Sequence, residues 1–226
     1  MTGHALEPHA DEVLAGAAVY SKRPILAAYD LWVLGFVCSR VWRCPNTHMR
    51  RLYDRNVDDR HLDLGPGTGY FLDKVAFPSE NPSLVLLDLN EDALRRTGAR
   101  LARYRPQAYR RDVLKPLDLG DARFGSVGLN FLLHCMPGGM AHKATVFDQV
   151  LPYVEPGGRI FGSTVLAHGV EHGKLAPKAL ESLNGDEVMN NLDDSFDQLD
   201  AELAARFSRY RLWAQGSVGL FEITAV

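Results

Sequence analysis

Cysteine is scarce in this sequence: 226 residues contain three, Cys38, Cys44 and Cys135. Their spacing matches no zinc motif, and an odd count without an export signal suits reduced thiols rather than a disulfide framework. Excess positive charge is also lacking. Lys+Arg 25 stands against Asp+Glu 28, a formal net charge of -3, so nothing draws the chain as a whole to a phosphate backbone, and nucleic acid is disfavoured as a partner. The start, Met1 to Pro8, does not have the basic-then-apolar order of a signal peptide. No uninterrupted apolar run is long enough to cross a bilayer: the richest stretch, Val13 to Trp42, is broken by Asp30 and Arg40. Internal repeats and low-complexity linkers are missing too. These absences lead us to expect a cytoplasmic protein with no membrane or nucleic-acid partner.

What is present suffices for one core. At 46% hydrophobic, the chain can bury a single substantial domain. We expect a terminal helical extension over residues 1–57 and a core over 58–226. The stretch that organises the core is His61-Leu62-Asp63-Leu64-Gly65-Pro66-Gly67-Thr68-Gly69-Tyr70-Phe71. Leu62 and Leu64 mark a strand, three glycines two apart mark a tight turn, and Tyr70 to Val75 reads as a helix. Glycines there let backbone turn sharply and approach a ligand, and the first helical amides offer it free donors. The loop alone is equally consistent with a plain turn in any α/β protein. A second apolar run, Leu84 to Leu87, ends in Asp88-Leu89-Asn90, where the carboxylate of a nucleotide-binding βαβ unit meets ribose hydroxyls. A third acid follows in Arg110-Arg111-Asp112-Val113, after a short candidate strand.

Together, Asp63 to Gly69, Asp88 and Asp112-Val113 resemble the successive cofactor motifs of the class I S-adenosylmethionine-dependent methyltransferases, and Leu151 to Ile160 resembles that family's helix, loop and fifth strand. The resemblance covers roughly residues 58–166 by motif and the remainder by order of elements. It implies a Rossmann-like α/β fold, a seven-stranded mostly parallel sheet with helices on both faces and an N-terminal helical cap. It also implies S-adenosylmethionine as cofactor and S-adenosylhomocysteine as product. Asp63, Gly65, Pro66, Gly67, Thr68 and Gly69 would hold the methionine end, Asp88 and Leu89 the ribose, and Asp112 and Val113 the adenine, with Asn130 also against the cofactor. Tyr20, in Val19-Tyr20-Ser21-Lys22, resembles the tyrosine that precedes the core in many small-molecule methyltransferases.

Before the glycine loop, residues 1 to 12 are polar, and Val13 to Trp42 is rich in aromatics. Aromatics at helical spacing are usually core, but such a segment can also cover a cofactor cleft and build an acceptor pocket. On that second reading Tyr29 and Trp32 contact the acceptor. Asn46 or Thr47 would cap a helix over His48 to Val57. Beyond the loop, Glu91 begins a helix, Phe124 to Cys135 reads as the fourth strand, Met140 to Val150 as a helix and Arg159 to Leu166 as the fifth strand. At least one helix belongs between Ala167 and Ala205. Phe207 to Trp213 and Leu220 to Ala225 then form an antiparallel pair.

His168-Gly169-Val170-Glu171-His172 has the His-x-x-Glu-His spacing of a zinc helix, but the glycines at 169 and 173 weaken any helix, so we expect no metal. His168 is expected in the loop above the fifth strand, near the acceptor. His134 and Cys135 stand where a magnesium-dependent catechol enzyme would need oxygen ligands. His134 is the candidate catalytic residue, as proton acceptor or as a hydrogen-bonding anchor for the acceptor; the alternative is a structural histidine. The expected activity is methyl transfer to an oxygen, nitrogen or sulfur nucleophile of a small, partly apolar molecule. The alternatives are a cofactor-binding protein that does not methylate and a nicotinamide-dependent oxidoreductase, the latter disfavoured by the two-two glycine spacing. A homodimer is compatible with the sequence.

Overall fold

A computed structural model describes residues 30–226, with side chains described from Phe36 onward. Tyr20 and Tyr29, and the side chain of Trp32, lie outside the described residues. The described chain opens with a π-type helix, Asp30–Val41, followed by α1 (Thr47–Asn56). The core alternates β1 (Arg60–Leu64), α2 (Tyr70–Lys74), β2 (Ser83–Asp88), α3 (Glu91–Arg100), β3 (Gln107–Arg110), β4 (Phe124–Asn130), α4 (Met140–Lys143), α5 (Thr145–Val150) and β5 (Val154–Val165). It finishes with α6 (Ala176–Gly185), α7 (Phe196–Arg206), β6 (Tyr210–Gln215) and β7 (Val218–Thr224).

The seven strands form one sheet in the order β3-β2-β1-β4-β5-β7-β6. β1 to β5 pair in parallel, β7 lies antiparallel to β5, and β6 closes the edge antiparallel to β7. Strand alternation explains the two cores. Leu84 and Leu86 of β2, Phe161 of β5 and Leu220 of β7 face α1, α2, α3 and α6 through Leu52, Leu72, Leu94 and Leu180. Val85, Leu87, Ile160 and Phe221 face the other way, onto Met140, Phe147, Leu199 and Leu203 of α4, α5 and α7. The sheet is therefore Rossmann-like, α/β and covered on both faces. Trp42, Cys44, Met49 and Leu52 share a buried cluster with the strands, so packing continues across residue 57. No helix among the described residues is long and apolar enough to cross a membrane.

The chain runs outward from β1 to β3 and then returns to place β4 on the other side of β1. This reversal opens a crevice at the carboxyl ends of β1 and β4, the place where such sheets take ligands. Several expected boundaries shift, each for a physical reason. β4 ends at Asn130 rather than Cys135, because Phe131 adopts φ 55 and turns the chain out of the sheet into a short 3-10 turn, Leu133–Cys135. The expected helix over 140–150 is two pieces joined at Ala144. Asn46 stands at the first cap of α1 in a helical conformation and makes no side-chain cap bond; its Nδ2 donates to the Tyr70 hydroxyl at 3.5 Å. The region after β5 holds two helices, in line with the expectation of at least one.

Candidate active site

The crevice is a cleft of about 770 Å³ of empty volume, counted out to its open mouth. Gly65 and Gly67 form one side, the end of β2 with Asp88, Leu89 and Asn90 a second, Asp112 and Val113 a third, and the turn after β4 the last. All three loop glycines have positive φ, yet each is needed for a different reason. A Cβ on Gly65 would sit 2.8 Å from Leu132 Cδ1, and one on Gly69 would sit 2.7 Å from Thr97 Cγ2. Gly67 has nothing within 4 Å of that position. It faces open cleft, with its carbonyl anchored by the Thr97 hydroxyl at 2.8 Å.

Asp88 ends β2. Its Oδ1 accepts the Asn90 amide at 2.9 Å, while burial pushes the carboxyl up to about 6 against the downward pull of the Asn90 and Leu89 amides. Asn90 in turn caps α3 by accepting the Asp92 and Ala93 amides, which fixes the corner between strand and helix. Asp112 Oδ1 accepts the Leu114 amide at 3.0 Å and so holds its own loop at the cleft. Across from these acids, Phe131, Leu132, Cys135, Met136 and Pro137 give an apolar wall. Burial pushes the Cys135 thiol up to about 12, so it stays protonated there.

Not every expected residue reaches the cleft surface. Pro66, Thr68 and Gly69 shape the loop from behind, and Thr68 Oγ1 accepts a bond from Arg100 at 3.2 Å. Asp63 is buried beneath the loop, where its Oδ2 accepts from the Tyr53 hydroxyl at 2.7 Å and from His61 Nε2 at 3.1 Å. His61 Nδ1 meets Ser126 Oγ at 2.8 Å, which continues a buried polar chain between α1, β1 and β4. Gly128 makes room for it: a Cβ there would lie 2.8 Å from Asp63 Oδ2. Asn130 ends β4 with Oδ1 accepting from Ser163 at 2.8 Å, and its side chain also interacts with the Tyr53 hydroxyl.

The expectation that His134 projects into the crevice is corrected. The ring is buried, with Nδ1 accepting the Val165 amide at 3.2 Å, and burial together with the Lys143 charge lowers its pKa to about 3. The shorter β4 is the cause, since the 3-10 turn rolls this side chain against β5 and leaves Cys135 and Met136 at the cleft. His168 lies in the loop after β5, as expected, but away from the cleft. Its amide donates to Asp194 O at 3.1 Å and its carbonyl accepts from Phe196, so it ties the end of β5 to α7 and is not among the cleft residues. His172 spends both ring nitrogens on Ser217 Oγ at 2.9 Å and Ala167 O at 2.8 Å, in a loop rather than a helix.

A methyltransferase-domain family model matches residues 62–160, from β1 into β5. Over 97% of this chain and 94% of its own length, demethylluteothin O-methyltransferase of Streptomyces thioluteus is 36% identical. The physcion biosynthesis cluster O-methyltransferase of Aspergillus chevalieri is 35% identical over 92% of this chain and 93% of its own. The chain belongs to the class I S-adenosylmethionine-dependent methyltransferases. The N-methyltransferase NodS from Bradyrhizobium japonicum WM9, solved with S-adenosylhomocysteine, shares the fold at TM-score 0.62 and 14% identity, over 93% of this chain and 98% of that one.

The residues present fit the methyltransferase cofactor. Gly67 leaves open space where any side chain would intrude, and Asp88 presents a carboxylate at the cleft. Sequence reasoning missed Tyr53 and His61, which hold Asp63. The signal was available: His61 and Asp63 are polar residues two apart in an apolar strand, hence on one face, and they require a buried partner.

Proposed function

We propose that this methyltransferase methylates a hydroxyl group of a small, partly apolar molecule. The observation that carries the reading is the division of the cleft into an acidic side, Asp88 and Asp112, and an apolar side from Phe131 to Pro137. The names of the two relatives, both O-methyltransferases, support oxygen over nitrogen or sulfur. The cofactor supplies a methyl group already activated on a sulfonium. The chain's part is therefore to align the acceptor and exclude water. Asp88 would take the ribose hydroxyls as a charged acceptor and Asp112 and Val113 the adenine, with Asn130 supporting the methionine end from the crevice end of β4. Leu132 and Met136 would pack the acceptor. With Cys135 protonated and His134 turned away, neither of these two groups takes the hydroxyl proton, and among the described residues positioning carries the catalysis.

Within this reading, Tyr20 is proposed as a cofactor contact and Tyr29 and Trp32 as acceptor contacts, each open to substitution. The three cysteines are free, and Cys38 and Cys44 are buried, in keeping with a cytoplasmic site of action. The test is turnover on matched phenols, thiols and amines with labelled S-adenosylmethionine. Preferred methylation of phenols is expected, and preference for thiols or amines would overturn the oxygen assignment.

A further inference from the structure

A second hollow lies between α1 and the edge strand β6, lined by His48, Arg51, Leu52, Arg55, Arg211 and Trp213. Its empty volume, counted like that of the cleft, is about 500 Å³, and none of its residues lines the cofactor cleft. Positions 48, 51, 52 and 55 share one face of α1, and positions 211 and 213 share one face of β6, so two rigid elements aim their side chains at one space.

The charges there do not balance. Arg55 reaches Glu222 Oε1 at 3.7 Å and Arg211 reaches Oε2 at 3.5 Å, so one carboxylate serves two guanidinium groups. That carboxylate also accepts Asn56 Nδ2 at 2.9 Å, which ties it to α1. Arg51 makes no ion pair among the described residues, nor does Asp54, the other charged neighbour on α1. Burial and the adjacent Arg51 charge both lower the His48 pKa, which leaves the ring as a neutral hydrogen-bonding group. Three arginines against one glutamate leave two positive charges in a concave site of a protein whose net charge is -3.

We propose that this hollow binds a phosphate-bearing small molecule, with Arg51, Arg55 and Arg211 taking the dianion and the Trp213 ring beside the group attached to it. Planar guanidinium forks suit tetrahedral oxyanions, since each presents paired donors, and a doubly charged phosphate cancels the surplus that the crowded arginines leave. The Trp213 ring favours an aromatic phosphate monoester over bare phosphate. This site is separate from the methyl-transfer reading and stands or falls without it.

The experiment is calorimetric titration of the full chain with phenyl phosphate and inorganic phosphate at constant ionic strength. One saturable site is expected, with phenyl phosphate the tighter ligand. Arg51→Gln is expected to weaken it at least tenfold with the melting temperature and S-adenosylmethionine affinity unchanged. Arg50→Gln, on the opposite face of the same helix, is expected to leave it unaltered. The absence of saturable binding, or equal losses from the two substitutions, would overturn the proposal, because equal losses mean general attraction to positive charge.

Discussion

The amide of Val165 donates to Nδ1 of His134 at 3.2 Å, which makes that nitrogen an acceptor and leaves the ring proton on Nε2. A neutral, buried histidine of this kind resists protonation. Its pKa is about 3 in the folded protein against the ordinary 6.5, so the unfolded chain takes up the proton first. The histidine's contribution to stability is therefore intact above about pH 6.5 and is lost progressively as pH falls toward 3. We expect His134→Asn to lower the melting temperature and to flatten the acid slope of stability between pH 6.5 and 4.5, measured by denaturant titration at each pH. Turnover per folded molecule should stay near wild type. A hundredfold fall in turnover at unchanged stability would instead return His134 to the chemistry.

Asp88 behaves in the opposite sense. With a folded pKa of about 6, its carboxyl is charged above that pH and protonated below it. Ribose hydroxyls donate best to the charged form, so S-adenosylmethionine affinity should fall as pH drops from 7 to 5 and level off above 7. Asp88→Asn should weaken binding by about 2 kcal/mol at pH 7.5 and remove most of the pH dependence, as read by calorimetry. An affinity in Asp88→Asn equal to that of the wild type would sink the assignment.

The glycine loop separates binding from folding. Gly67 faces open cleft, so Gly67→Val should abolish measurable cofactor binding, while the protein still folds with a loss of about 1–2 kcal/mol from the left-handed backbone. Gly69→Val meets Thr97 as well, at 2.7 Å from the first added carbon, and should cost clearly more stability than the change at 67. Thermal melts of the two variants side by side would reveal the difference.

The parts of the molecule visible in the sequence were those that local chemistry dictates. Asp63 to Gly69, Asp88 and Asp112 sit at strand ends, where the strand-turn-helix pattern alone sets position, and the βα order dictates the sheet. His134 was misplaced because its direction depends on Phe131 leaving the strand at φ 55, and nothing in Asn130-Phe131-Leu132 announces a left-handed residue. The number of helices after β5 was left open although Ser195-Phe196-Asp197-Gln198 carries a capping box, with Ser195 and Gln198 bonding each other's backbone. The partnership of Lys143 with Asp194 spans the molecule and leaves no local trace.

That ion pair offers a further test. Lys143 is fully buried, and its Nζ binds Asp194 Oδ2 at 2.6 Å and the Asn190 carbonyl, while the Asn190 amide donates to His134 O at 2.8 Å. Lys143→Met should destabilise by about 3–5 kcal/mol, because the Asp194 charge is left without its partner in the interior. Adding Asp194→Leu should recover much of that loss in chemical denaturation. Equal melting points for the single and double variants would show that the charge left behind is not the cause.

β7 comes late in the chain yet lies between β5 and β6, pairing with β5 from Arg159↔Thr224 to Val165↔Val218. During synthesis, β5 therefore emerges from the ribosome with one edge bare and waits some fifty residues for its neighbour. Until then the parallel half of the sheet can assemble, but its growing edge remains open to any other extended strand nearby. Yield in the cell should accordingly depend on how quickly the ribosome delivers the last hairpin, a kinetic demand that the mature protein, once closed, no longer feels.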